Sequence, residues 1–153
     1  MTMNRDFRDL LSEFNARGVE YLVVGAHALA AHGRVRATKD LDVWIRPDPA
    51  NAQRVLQALQ AFGAPLLDLS EDDLSQPGVI FQIGVPPVRI DIVTAIDSVE
   101  FADAWLARVR TVFADQNVAV PSREHLIRNK RATGRTQDLA DAEWLESKSR
   151  KDT

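Results

Sequence analysis

The stretch Thr38-Lys39-Asp40-Leu41-Asp42-Val43-Trp44-Ile45 sets two acids into an otherwise strand-forming run. Leu41, Val43 and Ile45 alternate with Asp40, Asp42 and Trp44, and residues two apart in an extended chain share one face of a sheet. One face can be buried while the other carries Asp40 and Asp42 side by side. A second stretch, Val88-Arg89-Ile90-Asp91-Ile92-Val93, repeats the pattern with Asp91 between two isoleucines. Such strands need burial, yet ionised groups resist it unless compensated. If the two strands are neighbours, Asp40, Asp42 and Asp91 converge, and three clustered anions demand cations. Magnesium suits that donor set, since it takes oxygen ligands and bridges phosphates, with manganese as the alternative.

Upstream, Phe7, Leu10, Leu11 and Phe14 recur at helical spacing, and Gly18 offers a stop. Tyr21-Leu22-Val23-Val24 reads as a short buried strand. Gly25 and the helix-favouring run Ala26 to His32 follow at once, with Gly33 as terminator. A strand, a glycine and a helix in immediate succession allow close backbone approach beside helix-terminal N–H groups. Between this helix and the Asp40 strand runs the basic loop Arg34-Val35-Arg36-Ala37-Thr38-Lys39. Its cations and the Thr38 hydroxyl can approach phosphates.

Downstream, Asp48 and Pro49 are a cap and first-turn pair for a helix carrying Val55, Leu56, Leu59 and Phe62, closed by Gly63. Leu66 to Pro77 reads as a solvated acidic loop. Its Asp68, Glu71, Asp72 and Asp73 lack the central glycine of a calcium loop. Val79–Ile83 and Val88–Val93 are expected to pair antiparallel across Gly84-Val85-Pro86-Pro87. A helix is expected from Ser98 to Val109, with Phe101, Trp105, Leu106 and Val109 inward. A short hairpin about Asp115-Gln116-Asn117 follows, joining Thr111–Phe113 to Val118–Val120. Pro121 and Ser122 introduce a helix with Leu126 and Ile127. Thr136 to Ser147 forms the last helix, through Leu139, Ala142 and Leu145, and Ser149 to Thr153 is expected to be loose.

No repeat or linker divides the chain, so residues 1–153 are read as one α/β (α+β) domain. A core region spans 5–98, and an annex of short helices and a hairpin spans 99–148. Hydrophobic content of 45% supports a packed interior. The formal charge of -3 gives no general attraction to a nucleic-acid backbone, so such a partner needs a local basic face. The absence of cysteine excludes disulfides and thiolate metal sites. His27 and His32 do not share a helical stripe, which argues against zinc. Met1-Thr2-Met3-Asn4-Arg5-Asp6-Phe7 lacks the apolar core of a secretory signal, and no run is long enough to cross a bilayer. A soluble cytoplasmic protein without membrane partners is expected.

In this order, Val24-Gly25-Ala26, Asp40-Leu41-Asp42 and Arg89-Ile90-Asp91 resemble three motifs of the polymerase-beta-type nucleotidyltransferase superfamily. The likeness is strongest to its minimal bacterial enzymes and to the nucleotidyltransferases of abortive-infection toxin systems. It runs from Tyr21 through Val93. Lys130 and Arg135-Thr136-Gln137-Asp138-Leu139-Ala140-Asp141 look similar to the lysine and acidic helical motif of the toxin-related group. The resemblance implies a mixed-sheet core with additional C-terminal helices. It implies attack by an acceptor hydroxyl on the alpha phosphate of a nucleoside triphosphate, with pyrophosphate released. Asp40, Asp42 and Asp91 would hold metal and, with Lys130, carry catalysis. Gly25, Ala26, Arg34, Arg36, Thr38, Lys39, Asp138 and Asp141 would serve the nucleotide. Ala26 departs from the second glycine or serine that many relatives have. The acceptor stays open among RNA, tRNA included, protein and a small hydroxylated compound. Arg123, Arg128, Lys130, Arg131 and Arg135 offer RNA a local basic stretch without stacking aromatics. The competing readings are a noncatalytic nucleotide-binding or partner protein of a toxin-antitoxin system, and an oligomerising structural domain.

Overall fold

The alternation around Asp42 resolves into a mixed four-stranded sheet. The computed structural model describes residues 5–84 and 88–151. Strands β1 (Tyr21–Val24), β2 (Asp40–Ile45), β3 (Ile80–Ile83) and β4 (Arg89–Val93) lie in the order β1-β2-β4-β3. β2 and β4 run parallel at the centre, while β1 and β3 pair antiparallel at the two edges. A parallel pair needs a long crossover, and α3 (Pro49–Phe62) with α4 (Glu71–Ser75) lies in it. The Asp48 carboxylate accepts the Asn51 N–H at 2.7 Å to start α3, and Gly63 ends it in the left-handed region at φ 93°.

The period-two pattern divides the sheet cleanly. Leu41, Val43, Ile45, Ile90 and Ile92 pack under α1 (Arg5–Ala16) and α3, against Leu10, Leu11, Phe14, Val55 and Leu59. On the opposite face Leu22, Val24 and Trp44 meet Val99, Phe101, Ala104 and Ala119. Those partners come from α5 (Phe101–Leu106) and its approach, and from the hairpin β5 (Val109–Phe113) and β6 (Gln116–Val120). This second layer covers the Trp44 end of the face, where Phe101 meets the indole edge-on at 5.1 Å. Asp40 and Asp42, nearer the start of β2, stay outside that cluster. The helices α2 (Ala26–Ala31), α6 (Arg123–Thr133) and α7 (Thr136–Lys151) complete the chain. Leu126 of α6 and Leu145 of α7 join the same buried cluster as Leu10 and Val43.

Four sequence expectations are corrected. Residues 66–77 are not all loop: Ser70 accepts the Asp73 N–H at 3.1 Å and Asp73 accepts the Ser70 N–H at 2.9 Å, a capping box that nucleates α4. The helix expected over Ser98 to Val109 is only Phe101–Leu106, because Val109 already belongs to β5 and pairs with Val120. Leu106 is accordingly exposed. The hairpin turns on Ala114 and Asp115, both at positive φ, and Gln116 and Asn117 lie within β6. The last helix continues to Lys151, there being no glycine or proline beyond Gly134 to stop it. Residues 85–87 of the expected turn, the first four residues and the last two lie outside the described residues. Among the described residues no helix is long and apolar enough to cross a membrane.

Candidate active site

The parallel register sets Asp42 of β2 directly beside Asp91 of β4, and Asp40 beside Arg89. All four side chains belong to the face opposite the large core, since their neighbours Leu41, Val43, Ile90 and Ile92 are buried in it. The three aspartates singled out by sequence are thus brought together. Asp42 and Asp91 lie against each other, so Asp42 takes up a proton more readily than a free carboxyl when no cation separates them. Burial, followed by repulsion from Asp91 and Asp40, lifts the Asp42 carboxyl from 3.8 to about 6. Burial likewise raises Asp91, with Arg89 opposing the shift.

Arg89 is the group whose part the motif reading understated. Its guanidinium stands 3.3 Å from Asp91 Oδ1 and 3.6 Å from Asp40 Oδ2, so it partly neutralises the row. Neither Arg89 Nε nor Asp91 Oδ1, both buried, finds a hydrogen-bond partner, which leaves the contact electrostatic. Gly25 closes the β1 side. Its φ of 71° favours glycine, and a Cβ there would lie 2.2 Å from Asp42 Oδ2. Any side chain at 25 would therefore displace the central acid. His27 is not a free surface residue. It hydrogen-bonds the Asp40 backbone, packs its ring 4.5 Å from Phe113, and is pushed below its ordinary pKa by burial.

A second cluster ties the basic loop to the C-terminal helices. Asp141 on α7 has a side-chain exposure of 0%, yet it receives Arg34 Nε at 3.0 Å, Arg36 through both terminal nitrogens, and Lys130 Nζ at 3.5 Å. Asp138, one helical turn back, binds Lys130 at 3.5 Å and Arg135 at 2.8 Å. Burial alone would raise both acids, but hydrogen bonds from Arg36 and Arg34 to Asp141, and from Arg135 and Thr133 to Asp138, bring each below its ordinary value together with the Lys130 charge. Trp144 adds a cation–π contact to Arg34 at 5.7 Å. Asp138 and Asp141 therefore anchor cations from within and have little surface to offer a nucleotide. Thr38 Oγ1 accepts the Asp40 N–H at 3.1 Å and shapes the entry to β2, while Lys39 is exposed. Arg131 is paired with Glu146, so of the five basic residues expected to guide RNA, Lys130, Arg131 and Arg135 already hold acidic partners.

The acid row fixes the sign of a pH response. A carboxyl whose pKa is higher folded than unfolded binds its proton more tightly in the folded chain. That stability is present below 3.8 and is lost as pH rises towards about 6. Urea denaturation in chelator should therefore show Asp42→Asn gaining on the wild type across that window. Parallel profiles for the two proteins would mean that neither burial nor the neighbouring acids disfavour the ionised Asp42 carboxylate.

The mixed sheet thus sets an Asp-x-Asp strand beside a second acidic strand, with a glycine against the central acid, the arrangement expected of a nucleotidyltransferase. A family model described as "Nucleotidyltransferase of unknown function (DUF6036)" matches residues 3–149, and the chain belongs to that family. No curated protein matches the sequence. Among solved structures the chain is similar to ANT(2")-Ia in complex with adenylyl-2"-tobramycin, at a TM-score of 0.62 and 14% identity, over 95% of this chain and 90% of that one. It is similar to TM1012 from Thermotoga maritima, at 0.58 and 13%, over 96% and 92%. It is also similar to the lincosamide antibiotic adenylyltransferase LnuA with lincomycin bound, at 0.57 and 16%, over 95% and 98%. Identities this low speak to the fold.

Proposed function

We propose that this nucleotidyltransferase is divalent-metal dependent and moves a nucleoside monophosphate from a nucleoside triphosphate to an acceptor hydroxyl. The observation that carries the reading is the Asp42–Asp91 pair, both raised in pKa by burial and by neighbouring acids and closed on one side by Gly25. Among the described residues no group of three or more His, Cys, Asp or Glu side chains stands ready to ligate a metal, and Asp40 and Asp91 both face Arg89. The donor set nonetheless fits a hard cation: two adjacent carboxylates, one carrying a buried oxygen without a hydrogen-bond partner. Asp42 and Asp91 would hold magnesium or manganese, with Asp40 completing the set, and the bound ion would neutralise charge on the phosphates.

The chain's own groups divide the remaining work. Arg34, Arg36, Lys130 and Arg135 outnumber Asp138 and Asp141, so their cluster keeps positive charge for a triphosphate. Gly25 and Ala26 offer backbone N–H groups, which need no serine hydroxyl. Lys39 supplies an exposed cation, Thr38 holds the loop's exit, and Lys130 balances charge on the leaving group. Asp91, its pKa raised by burial, accepts the acceptor's proton. The acceptor oxygen then bonds to the alpha phosphorus, the bond to the beta phosphate breaks, and pyrophosphate leaves with the electron pair. Such a substrate fits a cytoplasmic enzyme.

Four alpha-labelled nucleoside triphosphates, each offered with RNA, protein and small hydroxylated acceptors in magnesium or chelator, test the reading. Magnesium-dependent labelling of one acceptor supports it. Nucleotide binding without transfer in any combination would replace it with a noncatalytic binding role. A toxin's role rests on the Lys130 and Asp138 to Asp141 resemblance. Growth arrest on expression, absent in Asp42→Asn, would support it.

A further inference from the structure

The acid row has two flanks. On the β1 flank Gly25 abuts Asp42, and α2 leads into the loop that carries Arg34 and Arg36 to Asp141. On the β3 flank the antiparallel register pairs Gln82 with Asp91. Directly opposed residues in an antiparallel pair project to the same face, so the Gln82 carboxamide stands beside Asp91 on the acid side. Ile80, two residues earlier, shares that face and is 65% exposed, while Ile83 is buried in the core beneath. Gln82 is exposed, and none of the described side-chain hydrogen bonds or ion pairs involves it. The strand Ile80-Phe81-Gln82-Ile83 carries no charge.

In phosphoryl transfer the attacking and leaving oxygens stand roughly in line, on opposite sides of the phosphorus. If the triphosphate lies over the cations of the β1 flank, as the proposed function holds, its pyrophosphate departs on that side and the acceptor must arrive over β3. Resting on that reading, we infer that Gln82 and Ile80 form the acceptor subsite, and that its occupant is an uncharged or cationic hydroxylated small molecule. The carboxamide has both a donor and an acceptor with which to orient a hydroxyl against Asp91, and Ile80 gives an apolar wall. A nucleic acid would need cations along its path. Here β3 has none, and Arg89 is committed to Asp40 and Asp91.

The test uses the whole chain, isotope-labelled, with magnesium and a non-hydrolysable ATP analogue. Tobramycin, lincomycin and a short RNA with a free 3′-hydroxyl are the probes, and NMR is the readout. Tobramycin or lincomycin should shift the Gln82 side-chain amide and the Ile80 methyl signals. Gln82→Ala should weaken that probe about tenfold, the loss of one productive hydrogen-bonded contact, with the ATP analogue bound as tightly as before. Shifts at β3 from RNA alone, no shift there from any probe, or equal weakening of the nucleotide would overturn the subsite. A wild type that fails to bind the nucleotide analogue would instead strike the transfer reading, and this inference with it.

Discussion

Asp42→Asn is expected to lower nucleotidyl transfer by at least about a hundredfold and, in chelator at pH 8, to raise the melting temperature. Loss of an outer partner of a metal ligand already costs about ten- to a hundredfold, so loss of the central carboxylate of the row sets a higher floor. The stability gain has the opposite origin. Ionised Asp42 is held among Asp91, Asp40 and a partly buried strand surface, which lifts its pKa from 3.8 to about 6. At about 1.4 kcal/mol per unit, and discounted for partial solvent screening, relief of that repulsion is worth about 1–2 kcal/mol, or roughly 3–6 °C in a domain of this size. The asparagine amide can still donate to Asp91. Magnesium should reverse the order, stabilising the wild type and leaving the variant unmoved. Calorimetry with and without the ion reads both effects, and a variant that is inactive but also less stable in chelator would show that Asp42 serves folding rather than a charged site.

The alternation of Asp40, Asp42 and Trp44 with three buried residues was legible because a strand's period is strict, and the acids could face only one way. Asp91 followed by the same logic, as did the Asp48 and Pro49 start of α3. The register was not legible. Nothing local to β4 says that Asp91 rather than Val93 lies level with Asp42, and only that register puts Arg89 beside Asp40, as the separate β3–β4 register puts Gln82 beside Asp91. A neutral glutamine in an edge strand has no motif to announce it. The end of α5 was misplaced because Val109 continues its apolar spacing, and pairing with β6 overrides that spacing. The Ser70 and Asp73 box was readable from spacing alone, but the density of acids around it favoured a loop. Asp141 was found as part of a motif, while its burial was hidden, since its partners Arg34 and Arg36 lie more than a hundred residues earlier.

Asp141→Ala should destabilise the protein by about 3–5 kcal/mol, the usual cost of removing one partner from a buried charge network. The figure is large against the 5–15 kcal/mol typical of a whole domain, and the reason is the asymmetry of the site. Three cations converge on one carboxylate that has no solvent exposure, and Lys130 itself is only 14% exposed, so the positive charges left behind cannot all turn to water. Asp138→Ala should cost less, about 1 kcal/mol, because its main partner Arg135 is 80% exposed and rehydrates freely. Urea denaturation of both variants gives the comparison. Adding Lys130→Met to Asp141→Ala should recover part of the loss, since it removes one of the cations that Asp141 balanced. Equal small losses for Asp138→Ala and Asp141→Ala would mean that the arginines hold the loop without their buried acid. In that case the tie between α7 and the entry to β2 would not be what presents Arg34 and Arg36 to the triphosphate.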